Sequence, residues 1–197
     1  MGRVRCRRGI WAGAAVVLAA LSFGPADAAT KIRTKIVEYD APGSTAREVL
    51  PNFSIGPDVN GRKVWALTTW RVSWTTWYRE TPERCVVTAP TVDAAIEIKM
   101  PRLVDAAKMQ PNLRSAFEEL LKNLLAHERG HERLVRDAAR RIDRGIRSIL
   151  PQATCDQIVQ KANALGEQIL RALDQASRDY DLREEPRAMG DLRFPTD

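Results

Sequence analysis

His127 and His131 are the only histidines in this chain of 197 residues, and they stand in one five-residue run, His127-Glu128-Arg129-Gly130-His131. Four residues of α-helix turn through about 400°, so on a helix the two imidazoles share a face, one turn apart. That placement lets them hold one zinc ion, with Glu128 beside them to take a proton from a zinc-bound water. The segment must then be helical. An ordinary charged surface, with Glu128, Arg129, Glu132 and Arg133 pairing along the helix, is the structural alternative. It leaves Gly130 unexplained, because a helical glycine costs about 1 kcal/mol relative to alanine. A glycine beside the two ligands implies the close approach of another segment.

The surrounding pattern supplies the helix. Phe117, Leu120, Leu121, Leu124, Leu125, Leu134, Val135, Ala138 and Ile142 recur at helical spacing over residues 115–149, and Pro151 ends the run. A second stripe follows from Cys155 to about Tyr180, with Ile158, Ala162, Leu165, Ile169, Leu173 and Ala176. The short connection predicts antiparallel packing of the two helices. The first half reads as strands. Residues 31–39 alternate, with Ile32, Thr34 and Ile36 on one face. Asp40 to Gly43 is a turn, and Ser44 or Thr45 caps a short helix over 46–50 with Glu48 closing a capping box. Residues 52–62 form a loop. Over 63–78 the even positions Val64, Ala66, Trp70, Val72, Trp74 and Tyr78 mark one apolar face of a strand or hairpin. The tryptophans are expected in the core. Residues 85–100 form a further strand or pair, broken near Pro90, and 181–197 form a polar, irregular tail. Strands first and helices after them indicate an α+β fold.

A catalytic zinc usually has three protein ligands, and here the third cannot be histidine. Asp137 has the spacing of an extended motif, but Leu134 stands where that motif needs glycine. Folding the helices back about residues 150–154 brings 129 level with 174. Glu167, Asp174 and Asp181 then lie on one stripe of the second helix, and Glu184 and Glu185 follow it. The same stripe carries Arg171 and Arg178, as a solvated face would. Asp181 is the expected ligand.

The N-terminus reads as an export signal. Arg3, Arg5, Arg7 and Arg8 precede an apolar run from Ile10 to Phe23, too short to span a membrane comfortably, and Ala26-Asp27-Ala28 suits cleavage. The expected division is a signal peptide over 1–28 and one domain over 29–197. Within that domain, 29–103 is rich in strands, 104–181 is helical and 182–197 is a tail. The formal charge of +6 includes the four leader arginines and Asp27. Without them about half of it remains, which gives no support to nucleic-acid binding. Cleavage also removes Cys6 and leaves Cys85 and Cys155. In an oxidising compartment such a pair reads as a disulfide; buried thiols or metal ligands are the alternatives.

Several blocks together resemble a bacterial family of unknown function described as predicted secreted zinc-dependent proteases. They are Tyr39-Asp40, Gly43-Ser44-Thr45, Gly56-Pro57, Gly61-Arg62, Trp65, Thr69-Trp70, Val72-Ser73-Trp74, Cys85, Pro101-Arg102, the 127–131 motif, Cys155, Ala162-Asn163 and Tyr180-Asp181. The resemblance implies an exported zinc metallopeptidase and a Cys85–Cys155 pairing. Members of that family carry a Thr-x-His-Gly segment after the Tyr-Asp pair, whereas here Met189 precedes Gly190. The expectation is therefore a periplasmic or secreted zincin-like α+β domain, with a twisted antiparallel sheet on two long antiparallel helices. His127, His131 and Asp181 would bind Zn2+, Glu128 would act as general base and acid, and Tyr180 would stabilise the oxyanion. The partner would be a peptide or protein substrate in the cell envelope, met along the 63–78 strand, with no nucleic acid and no stable membrane span after cleavage. The rival is a non-catalytic envelope protein of the same fold that binds a protein or cell-wall peptide.

Overall fold

The computed structural model describes residues 30–57 and 63–189. The segment over 1–28 expected to be a signal peptide, the centre of the 52–62 loop and residues 190–197 lie outside them. The chain runs β1 (Lys31–Ala41), α1 (Ala46–Val49), a 3-10 turn (Leu50–Asn52), β2 (Gly56–Pro57), β3 (Lys63–Val64), β4 (Leu67–Glu80), β5 (Cys85–Leu103), a second 3-10 turn (Ala106–Lys108), α2 (Pro111–Arg147) and α3 (Cys155–Met189). The fold is α+β. No helix among the described residues is long and apolar enough to cross a membrane.

The main sheet has the order β1-β5-β4, and β2 and β3 form a separate antiparallel pair through Gly56↔Val64 and Pro57↔Lys63. The main sheet is mixed rather than antiparallel throughout. A turn closed by Thr81 N donating to Arg84 O at 2.9 Å joins β4 to β5, so those two run antiparallel. The parallel pair is β1 with β5. Arg102, near the end of β5, reaches Asp40 at 2.6 Å and Glu38 at 3.8 Å, both near the end of β1. The whole of α1, the β2–β3 pair and β4 separates β1 from β5 in sequence, which is the length a parallel pairing needs.

Local chemistry explains three departures from the sequence pattern. In β1 the inward set shifts from Ile32 and Thr34 to Val37, Tyr39 and Ala41, one residue out of step with a period of two, and Ile36 is left exposed. β5 runs unbroken through Pro90. β1 has 11 residues against 19 in β5 and lies along its C-terminal part, so Pro90 has only β4 beside it, where a missing N–H is tolerated on the open side. α3 continues through Tyr180 and Asp181 to Met189 instead of fraying into a tail at 181. At α1, Thr45 is the N-cap, and the full capping box with Glu48 is present.

The chain contacts divide into two compact units, and each draws on strands and helices alike. The first contains 72–94 and 138–170. Here Val72, Trp74, Val92 and Ala94 of the β4–β5 hairpin are buried, as are Ala139, Ile142, Ile146, Ile158 and Ala162 of the two long helices. Trp74 lies on Gly166, where a Cβ would overlap its ring, and its indole N–H donates to Asn163 Oδ1 at 3.1 Å. The Cys85–Cys155 disulfide ties the first residue of β5 to the first of α3, and Cys85 also exchanges backbone hydrogen bonds with Gln152. The second unit contains 32–71, 95–137 and 171 onward. Its buried residues include Phe53, Ile96, Ile98, Phe117, Leu120 and Leu124, with the Phe53 and Phe117 rings 5.6 Å apart. The histidine motif belongs to this unit.

Candidate metal centre

In α2 the inward stripe through Leu120, Leu124, Glu128, Glu132 and Val135 faces the sheet, and all five are buried. His127 and His131 lie on the adjoining face and meet α3. Their Nε2 atoms are 3.3 Å apart. Asp181 Oδ1 completes a triangle, 2.7 Å from His131 Nε2 and 3.2 Å from His127 Nε2. These three are the one cluster of His, Cys, Asp or Glu among the described residues whose ligand atoms converge closely enough to share a cation. Four tetrahedral ligands about 2.0–2.1 Å from zinc stand roughly 3.3 Å from one another. Two edges of the triangle match that spacing. The third is the length of a direct charge-assisted hydrogen bond. Two neutral imidazoles and a carboxylate are the donor set of a catalytic zinc, with one position left for water or substrate.

Electrostatics keep the carboxylate ready. Burial opposes ionisation of Asp181, but hydrogen bonds from both histidines and their charges hold its pKa well below the ordinary carboxylate range. Asp181 is also the most open of the three, with 47% of its side chain exposed against 11% and 12% for the histidines. Access to the centre is therefore from its side. Asp137, Glu167 and Asp174, the alternatives by spacing, are exposed and outside the cluster. The helices meet about one turn further along α3 than symmetrical folding predicts, with His131 beside Ser177 rather than 129 level with 174.

Tyr180 accounts for Gly130. Its ring stacks on His127 with centroids 5.0 Å apart and meets His131 edge-on at the same distance. A Cβ on Gly130 would overlap the Tyr180 ring and hydroxyl. The close approach implied by the glycine is thus Tyr180, lying on the bare helix backbone beside both ligands. Burial raises the phenol pKa, so Tyr180 is a neutral hydrogen-bond donor. Its hydroxyl lies against Gly130.

Glu128 is 5% exposed, which rules out the charged-surface explanation of the motif. Thr68 at the start of β4 donates to its Oε2 at 2.6 Å. Burial raises the Glu128 pKa, against the lowering effects of Thr68 and the two histidines. One turn on, Glu132 is equally buried and braces α2 to β1. Its Oε1 accepts from Thr34 at 2.7 Å and from Arg136 Nε at 2.9 Å, and its Oε2 accepts from Arg129.

Burial works to raise the Glu132 pKa. Hydrogen bonds from Arg129, Thr34 and Arg136 and the charge of Arg129 outweigh it and bring the pKa to about 2 from an ordinary 4.5. A depressed carboxylate pKa contributes stability in full above the unfolded value, and loses it as pH falls through the folded one. The difference in unfolding free energy between wild type and Glu132→Gln, measured in denaturant without metal, should be constant above about pH 5. It should shrink steadily toward pH 2. A difference independent of pH would remove this ion-pair brace.

Four contributors were not singled out from sequence. Thr68 occupies an even position on the mainly apolar face of β4, which also carries the buried Thr76, and Ser177 lies four residues before Asp181 on the same stripe of α3. Both signals were present in the pattern. Thr34 was placed on the right face of β1 without a role, and Arg136 carried no signal.

The chain belongs to a bacterial protein family of unknown function, DUF922, whose pattern matches residues 36–189 and so includes the whole centre. No curated protein and no solved structure matches it.

Proposed function

We propose that the protein is an exported zinc-dependent peptidase. The observation that supports this most is the convergence of His127 Nε2, His131 Nε2 and Asp181 Oδ1 beside a buried glutamate held by Thr68. Bound there, zinc would supply Lewis acidity, which acidifies water and polarises a carbonyl. Glu128 would take the proton of the attacking water as the water oxygen adds to the peptide carbonyl carbon. It would then deliver that proton to the departing nitrogen as the C–N bond breaks. Thr68 occupies Oε2 and so leaves Oε1 for this exchange. Burial favours the task, because a raised pKa makes the carboxylate a better base.

β4 is an edge strand of the main sheet, and Thr68 places its start beside Glu128. An extended peptide pairing with that edge would bring its backbone to the centre. The apolar leader with its small-residue cleavage site and the disulfide both suit a periplasmic or secreted protein.

Metal analysis of the purified mature chain tests the centre. Wild type is expected to carry about one zinc per chain, and His131→Ala to carry almost none, because a catalytic site has only three protein ligands to lose. Wild type without zinc, after zinc is supplied, would overturn the proposal.

A further inference from the structure

We propose that Ser177 is a positioning residue that sets which ring nitrogen of His131 carries the proton, and that its hydroxyl lets the proton change sides when metal binds or leaves. The inference rests on the metal-centre reading above. Both nitrogens of His131 are met by α3. Ser177 Oγ lies 2.8 Å from Nδ1, and Asp181 Oδ1 lies 2.7 Å from Nε2. The two partners are four residues apart, so one turn of α3 presents them on a single stripe.

An ionised carboxylate only accepts hydrogen bonds, and a neutral imidazole carries one N–H. Without a cation, the contact with Asp181 therefore places the proton on Nε2. Nδ1 is then an acceptor, and Ser177 donates to it. A cation bound through the Nε2 lone pair reverses this: the proton moves to Nδ1, and the same hydroxyl accepts. A carboxylate or a backbone carbonyl beside Nδ1 would satisfy only the second arrangement and would lock the ring in the metal-binding tautomer. A serine serves both, so Nδ1 of His131 keeps its hydrogen bond whether the centre is loaded or not, while Nε2 exchanges Asp181 for the cation. An alanine would serve neither, and a part-buried ring nitrogen would lose its protein partner.

The chain has two histidines, so its long-range proton–nitrogen NMR spectrum after 15N-histidine labelling contains two rings. Recorded at about pH 8.5, above the ordinary imidazole value, His131 is expected to carry its proton on Nε2 in the metal-free mature protein. It is expected to carry it on Nδ1 after addition of one equivalent of zinc. Zinc affinity, measured by competition with a chromogenic chelator, should fall roughly 10- to 100-fold in Ser177→Ala. It should stay within a few-fold of wild type in Ser177→Thr, which keeps the hydroxyl. One tautomer in both states of the wild type would overturn the exchange. Equal zinc affinity in Ser177→Ala, or equal loss in alanine and threonine variants, would overturn the role of the hydroxyl while leaving the centre intact. A wild type that binds no zinc would overturn the centre itself and this inference with it. The wild-type spectra decide the tautomer even if Ser177→Ala does not fold.

Discussion

Glu128→Gln is expected to reduce peptide hydrolysis by roughly 10²- to 10⁴-fold, the usual contribution of a general acid–base group, while zinc content stays at the wild-type level. Glutamine has the shape of glutamate, and its carbonyl oxygen can accept the Thr68 hydrogen bond now made to Oε2. It cannot take a proton from water at neutral pH. Glu128 is outside the ligand triangle, so the donor set of His127, His131 and Asp181 is untouched. Stability should hold or rise, because the change removes a charge that burial already disfavours. The measurement is kcat/KM on a mixed peptide library, with zinc content and thermal unfolding on the same samples. Hydrolysis at the wild-type rate by zinc-loaded Glu128→Gln would remove Glu128 as the base. No hydrolysis by zinc-loaded wild type would favour the rival reading, a binding protein that keeps the centre for its structure. That rival draws on the missing histidine after Tyr180-Asp181. α3 stays helical as far as Met189, which replaces it in sequence.

The parts of this molecule that were legible in the sequence share a cause. The motif helix, the β4 face, the α1 capping box and the pairing of the two cysteines follow from short-range periodicity or from counting residues of one type. Gly130 belongs with them: its cost in a helix pointed to a close neighbour, and Tyr180 is that neighbour. What was misread depends on partners far away in sequence. Pro90 signals a break only if both sides of the strand are paired, and β1 is too short for that. The polar composition after Tyr180 suggested a tail, but nothing local shows that Asp181 is held by two imidazoles from another helix. The parallel placement of β1 beside β5 is likewise a pairing across more than fifty residues. No periodicity within either strand encodes its direction relative to the other. Asp181 could be reached by spacing alone only approximately, because the crossing point of α2 and α3 is set by packing. Ser177 against His131 lies a little over a turn beyond the symmetrical level, and Leu165 against Gly145 about two turns beyond it.

Removing the disulfide is expected to cost about 4 kcal/mol of folding stability, the chain-entropy value for a loop of this length. The loop spans 70 residues and includes the motif helix. Both sulfurs are buried, with Cys85 at 1% and Cys155 at 7% exposure, in a cluster with Ile158 that Tyr78, Val87 and Ile149 flank. Alanine is therefore the better replacement, since serine would add two buried hydroxyls to the loss of the cross-link. For a domain of this size each kcal/mol shifts Tm by roughly 2–4 °C, so the double variant should melt about 10 °C or more below wild type. Reductant should lower wild type toward the same value and leave the double variant unchanged. The backbone exchange between Cys85 and Gln152 can persist without the sulfurs, so part of the β5–α3 junction should survive as structure even as stability falls. A double variant that unfolds at the wild-type denaturant concentration would show that this packing alone secures the junction. The expected loss instead means that folding to full stability needs an oxidising compartment. That requirement would connect the buried cysteine pair to the export proposed from the N-terminal sequence.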